Sequence, residues 1–296
     1  MPGLPDLHRH LDGSLRPATL DELARTDGVA IPEDLVFWPG MGLEAALSRF
    51  ALTLSVLKTP DRVRRVASEI CEDAAADGVT TLEIRFAPQL HEGAPIEAIV
   101  EAALDGIAGR AGLLLCGLYG EPPALVEALA KQPGIAGLDL AGGPTPAQRF
   151  SLEDYAGAFE VARARGIGRT VHASEGRPPH EIRVAIEQLH AQRIGHGTTL
   201  LEDPGVLELV LARGVTIEAC PTSNWQTGAI ARVDAHPLPR WLELGVKVCV
   251  NPDNTLFSNV TASEEHRRAR MIDGMTADKL DAAIAFGHAA AFRAGL

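Results

Sequence analysis

Two histidines separated by a single residue, His8 and His10, stand near the start of the chain in Leu7-His8-Arg9-His10-Leu11-Asp12-Gly13. Side chains alternate along a β-strand, so on a strand both imidazoles point to one side and can reach one cation. Three more polar clusters follow, each closing an apolar strand-like run: His172-Ala173-Ser174-Glu175, Gly195-His196-Gly197 and Pro252-Asp253-Asn254. Three imidazoles and one carboxylate, with a water completing the sphere, suit a divalent transition metal such as zinc. Zinc lowers the pKa of bound water from 15.7 to about 7, which supplies a nucleophile at neutral pH.

Each residue also has a plainer reading. His8 and His10 have the plainer alternative of a pair where a strand end meets solvent, and His196 reads also as a capped core histidine. Asp253 has the residue type of a helix N-cap. Position in the chain favours the ligand reading, because all four clusters fall at strand ends. The glycines beside His196 permit close approach of a ligand. His91, His180, His190, His236, His266 and His288 have no comparable context and read as surface or packing residues.

These clusters require elements that carry distant residues to one place. A first strand covers residues 4–10, and Pro17 opens a helix. After a Pro- and Gly-rich loop, residues 43–77 show helical spacing of apolar residues, interrupted at Thr59-Pro60. Strand-like runs follow at 79–86, 113–118, 135–140, 170–172, 193–196, 215–220 and 246–251. Helical segments separate them at 96–104, 124–130, 152–165, 179–189, 204–212 and around Trp241. Apolar strands alternating with helices predict a parallel sheet buried on both faces. Eight such units favour an α/β fold of the (β/α)8 TIM barrel type, with a helical insertion after strand 1 that covers one mouth. No glycine-rich dinucleotide fingerprint follows the first strand, and no linker divides the chain, so residues 1–296 read as one domain. The segment 261–296 is helical and serves either to close the barrel or as an interface.

The chain has 296 residues, of which 46% are hydrophobic, and a formal net charge of −12. That acidity argues against a general binder of nucleic-acid backbones and fits a soluble enzyme of small molecules. The four cysteines, Cys71, Cys116, Cys220 and Cys249, form no C-x-x-C pair and read as reduced. No apolar run approaches the roughly 18 residues of a membrane span, and the first residues lack a secretory signal pattern. The expectation is a cytoplasmic protein with no membrane partner; its oligomeric state is not written in the sequence.

The motifs Leu7-His8-Arg9-His10-Leu11-Asp12-Gly13-Ser14-Leu15, Leu138-Asp139-Leu140-Ala141-Gly142, Val171-His172-Ala173-Ser174-Glu175, Arg193-Ile194-Gly195-His196-Gly197, Cys220-Pro221-Thr222-Ser223-Asn224 and Asn251-Pro252-Asp253-Asn254 resemble those of adenosine deaminases, within the metal-dependent amidohydrolase superfamily. They occur in the family's order and span nearly the whole chain. The resemblance implies that His8, His10, His172 and Asp253 ligate one zinc ion per chain. It implies that Glu175 protonates the purine N1 and so carries a proton at that moment, which requires a raised pKa. His196 would orient and deprotonate the attacking water, and Asp253 would also hold it by a hydrogen bond. Gly142 would offer its backbone N–H to the purine N3, Asp12 would contact the ribose and Asn254 the purine N7. The end of the fourth strand, Asp139-Leu140-Ala141-Gly142-Gly143, lacks the bridging lysine of two-metal relatives, so one metal is expected.

The chain departs from the family pattern in three ways. Asn254 stands where a second aspartate is usual, Ser174 replaces a common glycine, and the short chain implies a trimmed lid that admits a larger 5′ group. The leading expectation is hydrolytic deamination of adenosine or deoxyadenosine to the inosine product and ammonia. The alternatives are a 5′-modified adenine nucleoside such as 6-aminodeoxyfutalosine, free adenine, a cyclic amide, and a relative without activity. The absent strand-four bridge disfavours the cyclic amide, and the filled catalytic positions disfavour the inactive relative.

Overall fold

The computed structural model describes residues 3–144 and 148–292. Its eight strands are parallel, each hydrogen-bonded to the next in chain order. They are β1 (Leu4–His10), β2 (Val79–Phe86), β3 (Gly112–Leu118), β4 (Gly137–Ala141), β5 (Gly168–Ala173), β6 (Arg193–His196), β7 (Thr216–Ala219) and β8 (Lys247–Val250). The seam between β8 and β1 closes just beyond β8. There the Leu7 N–H donates to the Asn251 side-chain oxygen at 2.8 Å, and the His10 N–H donates to the Asp253 carbonyl at 2.9 Å. The result is the expected (β/α)8 barrel.

Three helices, α1 (Pro17–Asp27), α2 (Leu43–Val56) and α3 (Pro60–Ala76), lie between β1 and β2. Pro17 and Pro60 open their helices where a missing N–H costs nothing, and the Thr59 hydroxyl caps α3 by accepting from the Arg62 N–H. Between later strands lie α4 (Ile96–Ile107), α5 (Pro123–Ala130), α6 (Ala156–Ala164), α7 (His180–Glu187), α8 (Pro204–Arg213), α9 (Pro221–Gln226) and α10 (Leu238–Glu243). After β8 come α11 (Ala262–Ala269) and α12 (Ala277–Ala290). The sequence reading lacked α9, because Pro221-Thr222-Ser223-Asn224 shows no apolar period and resembles a turn. Strand and helix limits otherwise shift by a few residues.

α12 packs across β8 and β1 and so covers the seam, which settles the structural role of that part of the segment 261–296; residues 293–296 lie outside the described ones. α2 lies over the C-terminal mouth of the barrel, as expected of the insertion. The four cysteines are free and buried. Among the described residues no helix is long and apolar enough to cross a membrane.

The barrel interior carries buried charge as well as apolar side chains. Leu82, Ile84 and Phe86 of β2 join the hydrophobic core, while the alternating Glu83 and Arg85 join an ionic cluster in the barrel. Arg85 donates to Asp139 and to Glu218, each at 2.8 Å, and Arg193 donates to Glu218 at 2.6 Å and to Glu83. All five side chains are essentially fully buried. Mutual pairing offsets the large cost of taking these charges out of water.

Candidate active site

Polar side chains from β1, β5, β6 and the β8 end converge on a cavity of about 410 Å3 at the C-terminal mouth. Its walls include His10, Asp12, Gly142, His172, Glu175, His196, Asp253 and Asn254 on the barrel side. Leu43, Leu47, Phe50 and Leu54 of α2 form an apolar wall opposite. His8 lies just beneath, fully buried.

Backbone conformation at the strand ends aims these groups. Ser174, His196 and Asp253, each at or just past a strand end, adopt φ of 59°, 68° and 65°. Left-handed backbone is unfavourable for residues with a Cβ, and such strain collects at functional sites. Ser174 carries the conformation that a glycine would take freely.

His8, His10 and His172 direct their Nε2 atoms to one point. The His172 Nε2 lies 3.0 Å from that of His8 and 3.2 Å from that of His10. Asp253 Oδ1 lies 3.7 Å from the His8 nitrogen and 3.5 Å from the His10 nitrogen. The far nitrogens of two rings face carboxylates: His8 Nδ1 is 2.6 Å from Glu218, and His172 Nδ1 is 3.1 Å from Asp139. Acceptors at Nδ1 place the proton there and leave a lone pair on Nε2. Two lone pairs facing each other at 3.0 Å repel unless a cation lies between them. Tetrahedral zinc with Zn–N of about 2.0–2.1 Å separates its ligands by roughly 3.3 Å. The three imidazoles therefore fit a metal ion, and the Asp253 carboxylate stands beside two of them.

Burial, reinforced by the nearby positive groups, holds His8 and His10 well below the ordinary histidine pKa. Both are thus neutral, the form that ligates. Burial works downward on His172 too, but Asp139 outweighs it and lifts the imidazole. Burial raises Asp253 to about 7, against a hydrogen bond from Ser223.

Glu175 and His196 stand beside this set, with His196 Nε2 3.8 Å from Glu175 Oε2. That gap is too long for a hydrogen bond and leaves room for a bridging atom. Burial lowers His196 to about 4, against the attraction of Glu175. The resemblance requires Glu175 to carry a proton at the moment it reaches the purine N1, and the groups around the carboxyl pull it in two directions. Burial pushes its carboxyl up, but His196, Arg177 and His172 together with the Thr227 hydroxyl, 2.9 Å away, leave it below the usual value.

Asp12 and Asn254 each bury an Oδ1 that has no hydrogen-bond partner among the described residues. Such orphans in a cavity wall call for a ligand's donor. Gly13 makes room for Asn254, whose Oδ1 lies 1.9 Å from where a Cβ would be. Gly142 takes φ 78° with nothing within 4 Å of its Cβ position, so its backbone is open to the cavity.

The structure brings together every site residue singled out in the sequence. It adds several that were missed. Glu218 and Asp139 face the Nδ1 atoms of His8 and His172, Thr227 bonds Glu175, and Asn224 lies 2.9 Å from His196 Nδ1. Tyr119 donates to the His172 carbonyl at 2.7 Å. His236, read as surface or packing, is buried against Trp241 and also reaches Asn224 at 3.3 Å. An acidic residue within an apolar strand, as in Ile217-Glu218-Ala219, was the available signal for Glu218.

Comparison with known proteins agrees with this geometry. Residues 4–293 match the adenosine deaminase family. A probable adenosine deaminase of Dictyostelium discoideum is 36% identical over 288 residues, covering 89% of this chain and 37% of that longer protein. The adenosine deaminase of Clostridium acetobutylicum is 34% identical over 310 residues, covering 97% of this chain and 92% of its own length. Among solved structures, the adenine deaminase of Arthrobacter aurescens superposes with a TM-score of 0.88 at 25% identity, covering 99% and 95% of the two chains. With a family match spanning the barrel and a relative aligned over nearly its full length, this chain belongs to the adenosine deaminase family of the amidohydrolase superfamily.

Proposed function

We propose that this chain is a zinc-dependent aminohydrolase that converts adenosine and deoxyadenosine to inosine and deoxyinosine with release of ammonia. The observation that carries the reading is the convergence of three imidazole Nε2 atoms and Asp253 at the floor of a cavity that also holds Glu175 and His196. His8, His10, His172 and Asp253 would hold one zinc ion. Zinc bound there would make a water molecule acidic enough to attack the purine C6 at neutral pH.

The remaining chemistry belongs to the side chains. Glu175 delivers a proton to the purine N1, which makes C6 electrophilic. His196 orients the attacking water, and Asp253 accepts a hydrogen bond from it. The Gly142 N–H donates to N3, the Asn254 side-chain N–H donates to N7, and Asp12 Oδ1 accepts from a ribose hydroxyl. The partner is thus a neutral small molecule held at the barrel mouth.

The apolar wall of α2 favours a second reading, an adenine nucleoside with an apolar 5′ substituent, since a ribose hydroxyl makes no use of Leu47 and Leu54. An ultraviolet assay of zinc-loaded protein against adenosine, deoxyadenosine, adenine and 5′-substituted adenosines separates these readings. Loss of adenine absorbance with adenosine, abolished by Glu175→Gln, is the expected result. Turnover of a 5′-substituted compound alone would favour the second reading, and deamination of none of them would overturn both.

A further inference from the structure

A line of hydrogen bonds fixes the proton on His196, and its starting point is a group that cannot change role. The backbone N–H of Leu238 donates to His236 Nδ1 at 3.0 Å. A nitrogen that accepts carries no hydrogen, so the neutral His236 ring holds its proton on Nε2. That Nε2 lies 3.3 Å from Asn224 Oδ1, which accepts from it. The Asn224 amide is thereby oriented, with its NH2 toward His196, and Nδ2 donates to His196 Nδ1 at 2.9 Å. His236, Asn224 and His196 are all buried, so water does not compete for these positions.

We infer that Asn224 and His236 are positioning residues that hold neutral His196 with its proton on Nε2, so that this ring donates a hydrogen bond into the reaction centre instead of withdrawing a proton. Four links lead to this assignment: a backbone donor, a histidine, an amide and the second histidine. The Nε2–H faces the gap in front of Glu175 Oε2, where a bridging oxygen would accept from it. The proton lost by the attacking water then passes to Glu175, which stands across the same gap as a carboxylate once its own proton has gone to the purine N1. This inference rests on the proposed deamination for its meaning but not for its test.

The test is ring-nitrogen NMR of zinc-loaded protein labelled with 15N-histidine, with the His196 signals assigned from a His196→Gln sample. The expected spectrum shows hydrogen on Nε2 and a bare Nδ1 for His196 and for His236. A proton on His196 Nδ1 would overturn the inference, whatever the activity. Asn224→Asp supplies the second arm, because a carboxylate only accepts and so demands the proton on Nδ1. That variant should reverse the His196 pattern and lower kcat by about 10²-fold with KM little changed. Reversal with kcat unchanged would overturn the donor role. Failure to deaminate adenosine, with the expected ring pattern intact, would count against the proposed function and not against the relay.

Discussion

Glu218 Oε2 lies 2.6 Å from the Nδ1 of His8, and the same carboxylate accepts from Arg85, Arg193 and Thr170. Four hydrogen bonds saturate its lone pairs and fix it relative to the barrel wall, and through it the His8 ring. Glu218→Gln replaces one acceptor oxygen with a donor that opposes one of these partners. Removing such outer partners typically costs 10–100-fold in metal affinity. Zinc affinity by chelator competition should fall by about that factor, with the far-ultraviolet dichroism unchanged. Unchanged affinity would show that His8 needs no external orientation.

Asp12 offers a test of which part of a ligand sits where. Its carboxyl is raised to about 7 by burial, and its Oδ1 lacks a partner among the described residues. A hydroxyl donated to it is worth about 1.5–3 kcal/mol. Asp12→Ala should lower kcat/KM for adenosine by roughly 10–100-fold and leave that for free adenine nearly unchanged. Equal losses for both would place Asp12 at the base instead of the ribose.

Glu265, which does not line the cavity, predicts a pH dependence of stability. Burial raises its carboxyl from 4.5 to about 7, against hydrogen bonds from the Thr222 N–H and hydroxyl. Below pH 4.5 it is neutral in both folded and unfolded chains. As pH rises toward 7 only the unfolded chain ionises, so stability falls, by on the order of 3 kcal/mol. Glu265→Gln keeps the shape and removes this slope. In urea unfolding of metal-free proteins, the variant should gain on wild type between pH 5 and pH 8. A constant difference across that range would mean that Glu265 titrates normally.

Ser174 separates backbone strain from side-chain bonding. Its φ of 59° disfavours any Cβ, while its hydroxyl donates to the Pro178 carbonyl at 2.9 Å. Both Ser174→Gly and Ser174→Ala lose the bond, but only glycine also relieves the backbone. The glycine variant should be the more stable of the two by about 1 kcal/mol. The opposite order in chemical denaturation would remove strain from the account of this turn.

How much of this was legible in the sequence follows from how far each argument reaches along the chain. His8 and His10 were readable because strand alternation is local, and His172, Glu175 and Asp253 because their clusters end apolar runs. The ionic cluster was partly visible, since Glu83 and Arg85 are two apart in β2. Their partners Arg193 and Glu218, however, come from strands more than a hundred residues away. The relay to His196 was not readable: it needs the loop after α9 to bring His236 onto Asn224, and no local pattern encodes that return. The balance of groups around Glu175 was hidden for a related reason. Arg177 and Thr227 determine it together with the imidazoles, and Thr227 reaches it from the end of α9.

The bottom of the barrel provides the last prediction. The Phe292 ring lies 3.7 Å over the Arg193 guanidinium, and the Phe292 N–H donates to Glu83, so Phe292 seals the ionic cluster from below. Gly168 lies beneath that ring, and a Cβ there would come within 2.0 Å of Phe292 Cγ. No unusual φ explains this glycine; the reason is space. Gly168→Ala should therefore cost about 1–3 kcal/mol by overpacking. Phe292→Ala should cost about 1–2 kcal/mol through the lost cation–π contact and apolar burial. In the double variant the added methyl enters the space vacated by the ring, so the two costs should fall short of their sum by about 1–2 kcal/mol. Urea denaturation of all four proteins at one metal content measures that coupling. Strict additivity would mean that the ring does not rest on Gly168. It would also detach Phe292 from the line of contacts through Arg193 and Glu218 to His8.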